Sequence, residues 1–152
     1  MTFDLIDAFG LGPRELVAFT GGGGKTSLLL ELSRQLAGRG DRVLMTTTTK
    51  LGLDQTEDAE VCWSIDWYEI ESALDRGRPV FVLSEADDHK VLGYDPEIVG
   101  DLYTESSAGY VLVEADGSRR RPLKAPAEYE PVVPPAASVV VVPLSRFLKV
   151  RI

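Results

Sequence analysis

Residues 18–27 read Ala-Phe-Thr-Gly-Gly-Gly-Gly-Lys-Thr-Ser, and this stretch decides the fold. It lies between an apolar run at 15–19, which predicts a β-strand, and a helical pattern over 27–37. Consecutive glycines let the backbone adopt positive φ and approach a ligand closely, because no Cβ intervenes. Backbone N–H groups in such a turn form an anion site together with the N-terminus of the following helix. The order of strand, glycine loop, Lys-Thr and helix therefore predicts a phosphate-binding loop.

The loop residues have distinct expected roles. Lys25 reaches the β- and γ-phosphates of a nucleotide, and the Thr26 hydroxyl ligates Mg²⁺. The spacing G-x-x-G-K-T at 21–26 is that of ATP loops in Mur-type ligases, whereas the longer G-x-x-x-x-G-K-[ST] form would need glycine at Phe19. The alternative is a glycine-rich turn followed by an ordinary surface lysine. Five residues are expected to cradle the phosphates: Gly21, Gly22, Gly23, Gly24 and Ser27.

Length and composition predict a single domain over residues 1–152 in the reducing cytoplasm, and the glycine loop makes it a nucleotide-binding domain. The chain is 44% hydrophobic and 26% charged, close to globular averages. Its single cysteine excludes an intrachain disulfide and a multi-cysteine metal cluster. No apolar run approaches the ~20 residues of a membrane helix, so no membrane partner is expected. The net charge of −8 argues against nucleic acid as a partner.

Apolar runs that alternate with helical patterns predict an α/β fold. Uniformly apolar strands indicate a mainly parallel sheet with helices on both faces. In such sheets ligands bind beyond the carboxyl ends of the strands. The predicted strands are 15–19, 42–45, 59–63, 79–83, 110–113 and 138–142, and the predicted helices are 3–9, 27–37, 66–76 and 95–103.

Two further strand ends carry polar side chains that suit nucleotide chemistry. Glu114 follows an apolar strand, as in a Walker B element, and Asp116 is two residues on, so an extended backbone points both carboxylates to one side. One could hold Mg²⁺ and the other orient an attacking group, which makes both candidate metal ligands and, with Lys25, candidate catalytic residues. The alternative is an acidic turn that closes a buried strand. Among the threonines at 46–49, Thr47 and Thr48 are the candidates to contact nucleotide or a second substrate.

A basic run directly follows these carboxylates. Arg119 is its first residue, and a guanidinium suits phosphate because it donates two parallel hydrogen bonds. It could stabilise a transition state or dock an anionic second substrate, or the run could simply be a solvated face. The base of the nucleotide is weakly marked, because the chain has no asparagine and lacks the Asn-Lys-x-Asp guanine signature. ATP is the expected nucleotide, and GTP is not excluded.

Five motifs, taken together, resemble the YqeC family. They are GGGGKTS at 21–27, TTTTK at 46–50, EADGS at 114–118, PLKAP at 122–126 and EPVVP at 130–134. Members of this family are described as accessory proteins of selenium-dependent molybdenum hydroxylases. The resemblance implies a three-layer P-loop NTPase-like fold, Mg²⁺-dependent ATP hydrolysis, and a molybdenum hydroxylase or a cofactor intermediate as partner. Family members usually continue further than residue 152, and 143–152 depart from their pattern, so a C-terminally truncated form of the fold is expected.

Other functions remain open at this point. The short Mur-like loop favours an ATP-dependent ligase or a small-molecule kinase, and the Val-Glu pair at 113–114 is distantly similar to dethiobiotin synthetase. A non-catalytic nucleotide-sensing module is a third option. The sequence also leaves open whether the protein forms a homodimer.

Overall fold

The computed structural model describes residues 3–115, 133–143 and 147–152. In these ranges helices and strands alternate along the chain. The helices are α1 (Leu5–Ala8), α2 (Lys25–Gly38), α3 (Trp67–Asp75) and α4 (Pro96–Glu105), with a 3₁₀ helix at Leu53–Thr56. The strands are β1 (Glu15–Phe19), β2 (Val43–Thr47), β3 (Lys50–Gly52), β4 (Glu60–Cys62), β5 (Val80–Val82), β6 (Glu85–Ala86), β7 (Lys90–Leu92), β8 (Tyr110–Glu114), β9 (Val139–Pro143) and β10 (Phe147–Arg151).

The main sheet has the strand order β10-β9-β1-β8-β2-β5-β4. Its paired strands are parallel except for β10, which runs antiparallel to β9. A second, antiparallel sheet has the order β3-β7-β6. At the edge of the main sheet, Arg151 of β10 donates to both carboxylate oxygens of Glu15, at 3.1 and 2.8 Å. This ion pair ties the last described strand to the start of β1.

Alternation along the buried strands divides the core into two layers. One face of the main sheet packs against α1 and α2, and the other packs against α3 and α4. In β8, Leu112 lies on the α2 side, whereas Val111 and Val113 lie on the α3 side. Helices therefore cover both faces, and the expected three-layer α/β fold with a mainly parallel sheet is confirmed.

The helix boundaries follow from capping. Asp66 precedes α3, and its carboxylate accepts a hydrogen bond from the backbone N–H of Glu69. Pro96 occupies the first turn of α4, where its missing N–H costs nothing. None of the helices in residues 3–115, 133–143 and 147–152 combines the length and apolarity of a membrane-spanning segment.

Four strands were not predicted from the sequence. The small sheet uses β3, β6 and β7, each of two or three residues, and β10 adds the antiparallel edge. Strands β3, β6 and β7 are too short to show a clear alternation, and β3 pairs with β7 from a segment about forty positions away. The small sheet lies next to the carboxyl ends of β2 and β5, and the backbone N–H of Tyr94, just after β7, donates to the backbone oxygen of Thr47.

Candidate functional site

Three neighbouring strands end at the same edge of the main sheet and bring their polar residues together. Strands β1, β8 and β2 are adjacent and in register, with Phe19 opposite Glu114 and Glu114 opposite Thr47. The glycine loop, Glu114 and the threonine run therefore occupy one edge. Their convergence was predicted from the sequence and is confirmed.

The glycine loop depends on glycine at two positions. Gly21 has φ 91°, and Gly24, the N-cap of α2, has φ 93°. Both values lie in the left-handed region that side chains disfavour. A Cβ on Gly21 would also lie 2.8 Å from Cγ1 of Val142, at the end of β9. Backbone conformation and close packing together fix the shape of the loop.

Lys25 folds back over this loop. Its side chain is buried, with 3% exposure, at the first position of α2. The Nζ atom donates to the backbone oxygen of Gly21 at 3.0 Å and to that of Gly22 at 3.3 Å. The ammonium therefore lies within the loop rather than in solvent, so Lys25 is not an ordinary surface lysine.

Thr26 and Glu114 meet at the base of the loop. The Thr26 hydroxyl donates to Oε2 of Glu114 at 2.6 Å. Alternation places Glu114 on the same face of β8 as Leu112, which is the face that α2 covers. Glu114 is 7% exposed, so its carboxylate is largely shielded from water. A threonine hydroxyl and a carboxylate are thus held side by side beneath the loop.

These two oxygens are of the type that Mg²⁺ binds. Mg²⁺ prefers oxygen ligands and usually takes one or two protein carboxylates, the rest being phosphate oxygens and water. Within the described residues no cluster of three or more His, Cys, Asp or Glu side chains could hold a metal by itself. Thr26 and Glu114 therefore fit a metal that arrives with a phosphate ligand, since the described residues alone do not complete a metal site.

The threonines at the end of β2 form hydrogen bonds within the main sheet as well as lining its edge. Thr47 Oγ1 donates to the backbone oxygen of Glu114 at 2.9 Å, and Thr46 Oγ1 donates to that of Val82 at 2.7 Å. Both hydroxyls fasten β2 to a neighbouring strand. The backbone N–H of Thr48 donates to the Glu114 oxygen at 3.0 Å, and Thr48 then lines the cavity described below.

The remaining predicted site residues are placed as follows. Ser27 is exposed in the first turn of α2, Gly23 is exposed in the loop, and Gly22 is buried. Asp116 and Arg119 lie outside the described residues.

A cavity of about 560 Å³ opens at the same edge of the main sheet, and we call it the strand-end cavity. It lies between the small sheet and the ends of β2 and β5. Sequence reasoning missed most of its residues, because its walls come from segments some forty positions apart. It is lined by Thr48, Thr49, Lys50, Ser84, Glu85, Lys90, Leu92, Gly93, Tyr94 and Asp95.

Comparison with known proteins gives one consistent family. A family model described as "YqeC protein" matches residues 17–146. The Escherichia coli (strain K12) protein named "Uncharacterized protein YqeC" is 34% identical over 132 residues, which cover 83% of this chain and 50% of that protein. The chain thus spans about half the length of this relative. No solved structure matches significantly.

Proposed function

The chain belongs to the YqeC family, and from this premise and the geometry of the loop we propose that it is an ATP-binding, Mg²⁺-dependent protein of the cytoplasm. Its proposed role is that of an accessory factor in the maturation of selenium- or molybdenum-dependent hydroxylases or their cofactor. The molybdenum part of this proposal rests on the family resemblance, and the nucleotide part rests on the site.

The observation that carries the nucleotide proposal is the hydrogen bond between Thr26 and Glu114, 2.6 Å long. The hydroxyl follows the loop lysine directly in sequence, whereas the carboxylate is supplied by the end of the adjacent strand, 88 residues later. A glycine-rich turn without a nucleotide role would not need this pair. Beside a glycine loop at a helix N-terminus, which is a general site for phosphate, the pair would supply oxygen ligands for the metal that accompanies it.

Each part of the site would contribute separately. The loop backbone and Lys25 would bind the phosphates, and Thr26 and Glu114 would hold Mg²⁺. When bound, Mg²⁺ neutralises phosphate charge that develops during phosphoryl transfer. Burial of Lys25 and Glu114 keeps water away, which strengthens every charge–charge interaction with a bound nucleotide.

The strand-end cavity favours a second candidate, an ATP-dependent ligase or small-molecule kinase. Hydrolysis alone needs no room for another substrate, yet this cavity adjoins Thr48, whose backbone N–H donates to the backbone oxygen of Glu114 at the end of β8. The fate of the γ-phosphate separates the options. An accessory ATPase releases phosphate slowly unless its client protein is present. A ligase or kinase needs a small acceptor, and a nucleotide sensor shows no turnover.

The test is calorimetric titration of the purified protein with ATP and then GTP, each with and without Mg²⁺. We expect magnesium-dependent binding of ATP that Lys25→Ala weakens by about 100-fold or more, since a buried charged contact to phosphate is lost. Arg34→Ala is the control, because it removes a positive charge from an exposed position on α2, outside the loop and the strand-end cavity. Unchanged affinity in the Lys25 variant would refute the phosphate-loop assignment.

The client proposal needs its own measurement. ATP-dependent capture of a purified molybdenum hydroxylase, tested with wild-type protein and Lys25→Ala, would support it. Equal capture without nucleotide, or none, would remove the maturation role while leaving nucleotide binding intact.

A further inference from the structure

One wall of the strand-end cavity is the small sheet, and alternation decides which side chains this wall presents. In its pairing, Lys50 lies opposite Leu92, and Leu92 lies opposite Glu85. Residues opposite one another share a face, so these three form a row across the strands. Lys90, two positions before Leu92, lies on that face too. The other face carries Leu51 and Val91, which are buried with 3% and 0% exposure.

Charges of both signs therefore line the cavity. Lys50 and Lys90 supply two ammonium groups, and Glu85 and Asp95 supply two carboxylates. Within residues 3–115, 133–143 and 147–152, none of these four side chains makes a hydrogen bond or an ion pair. Asp95 is the N-cap of α4, yet its carboxylate makes no capping hydrogen bond. No described residue occupies these four charges, and we treat them as the groups that would meet a ligand.

The neighbouring polar groups are already occupied. Asp87, the acid near Lys50, accepts from the backbone N–H groups of His89 at 2.8 Å and Lys90 at 2.7 Å, and these bonds lower its pKa. The Ser84 hydroxyl donates to the backbone oxygens of Leu92 and Gly93. Recognition in this cavity consequently depends mainly on the four unpaired charges.

Tyr94 borders the cavity without adding a charge. Burial raises the pKa of its phenol, which stays protonated at neutral pH and donates to the backbone oxygen of Leu83 at 3.1 Å. The tyrosine ring and Leu92 supply apolar surface between the charged groups. A volume of about 560 Å³ falls within the range of small-molecule sites, and this cavity combines apolar surface with several polar and charged side chains.

We propose that the strand-end cavity binds a small zwitterion of the amino acid type. Its carboxylate lies between Lys50 and Lys90, its ammonium faces Glu85 and Asp95, and its body packs on Leu92. A simple anion would meet two carboxylates and a simple cation two ammonium groups, so only a ligand with both signs satisfies all four. Binding stands independently of nucleotide, whereas a role as second substrate rests on the proposed ATP site.

The test is titration of the nucleotide-free protein at pH 7 with each of the twenty standard amino acids. We expect at least one to bind with a Kd below about 10 mM. Glu85→Gln and Lys90→Gln should each weaken that binding about tenfold or more, because a hydrogen-bonded charge pair is lost. Glu105→Gln is the matched control, since Glu105 is exposed on α4 away from the cavity. No binding by any amino acid, or unchanged binding in both cavity variants, would overturn the proposal.

Two analogues of the amino acid that binds most tightly show whether its carboxylate contacts Lys90 and whether its ammonium group contacts Glu85. Replacing its carboxylate by a carboxamide should weaken binding to wild type but not to Lys90→Gln. Removing its ammonium group should weaken binding to wild type but not to Glu85→Gln. If the variants remain as sensitive to the analogues as wild type, the charges do not contact the ligand and the proposal fails.

Titration of the same preparation with ATP separates this proposal from the nucleotide site. Amino acid binding without ATP binding would remove the proposed function and keep the cavity assignment. ATP binding without amino acid binding would remove the cavity assignment and keep the proposed nucleotide site.

Discussion

Gly93→Ala tests how closely the small sheet is joined to the main sheet. Gly93 directly follows β7, and its φ lies outside the left-handed region, so the substitution acts through space alone. A Cβ there would lie 1.8 Å from the backbone oxygen of Thr47, whereas real Cβ atoms stay beyond 3.0 Å. The two backbones would have to separate by about 1.2 Å, which is overpacking against a rigid strand.

The separation also breaks a hydrogen bond. The Tyr94 N–H donates to the same Thr47 oxygen at 3.0 Å, and Thr47 has 0% exposure, so that oxygen would lose its partner. Overpacking and the lost bond together should cost about 3–5 kcal/mol of the free energy of unfolding. For a chain of this size the melting temperature should fall by about 6–20 °C.

Thermal melts and urea unfolding measure this loss, with Gly38→Ala as the matched control. Gly38 ends α2, and no atom lies within 4 Å of its would-be Cβ. Alanine there should leave stability unchanged or raise it by up to about 1 kcal/mol, because alanine favours helix. If Gly93→Ala melts within about 1 °C of wild type, the close approach of β7 to β2 is wrong.

Three further predictions follow from individual contacts. Glu114→Gln should keep magnesium-dependent ATP binding within about tenfold of wild type but abolish phosphate release, and turnover at the wild-type rate would contradict the role of Glu114. Burial acts to raise the pKa of Glu71, but hydrogen bonds from Ser107 and Arg42 outweigh it and lower the pKa below its unfolded value. The stability that the Glu71 carboxylate contributes is therefore present at neutral pH and lost as pH falls below about 4.3. Glu71→Gln should lower the free energy of unfolding, measured with urea, by about 1 kcal/mol at pH 7 and by less at pH 3.5. A loss that is the same at both pH values would contradict the role of the Glu71 carboxylate. Burial raises the pKa of Cys62 to about 11, so iodoacetamide should modify it only after unfolding, and rapid modification of the native protein, seen by mass spectrometry, would contradict its burial.

The main sheet could be predicted from the sequence because its strands are uninterrupted apolar runs. The predicted strand at 15–19 coincides with Glu15–Phe19, and the predicted strand at 110–113 falls one residue short of Tyr110–Glu114. Helix α2 begins at Lys25, two residues before its predicted start, because Gly24 in the left-handed conformation already ends the loop. The nearness of Thr26 and Glu114 was predictable for the same reason, since parallel strands end at one edge.

The strand-end cavity could not be predicted in this way. Its wall depends on Lys50 of β3 and Lys90 of β7, and these two paired strands are too short to show a period in the sequence. Nothing in the sequence around Gly93 indicates that a side chain is excluded there, and only the position of the Thr47 backbone oxygen shows it. The cavity wall and the restriction at Gly93 both result from packing between distant segments. The order of residues does not encode such packing directly.

The register of β8 has a consequence for how this family can vary. Every residue of Tyr110–Glu114 is buried, and alternate residues face different helical layers. A homologue can exchange one apolar residue for another here, but inserting or deleting a single residue before Glu114 would rotate the carboxylate to the α3 side. Thr26 would then lose its partner although both residues were still encoded. Length, more than identity, is therefore the constraint that selection must preserve in this strand.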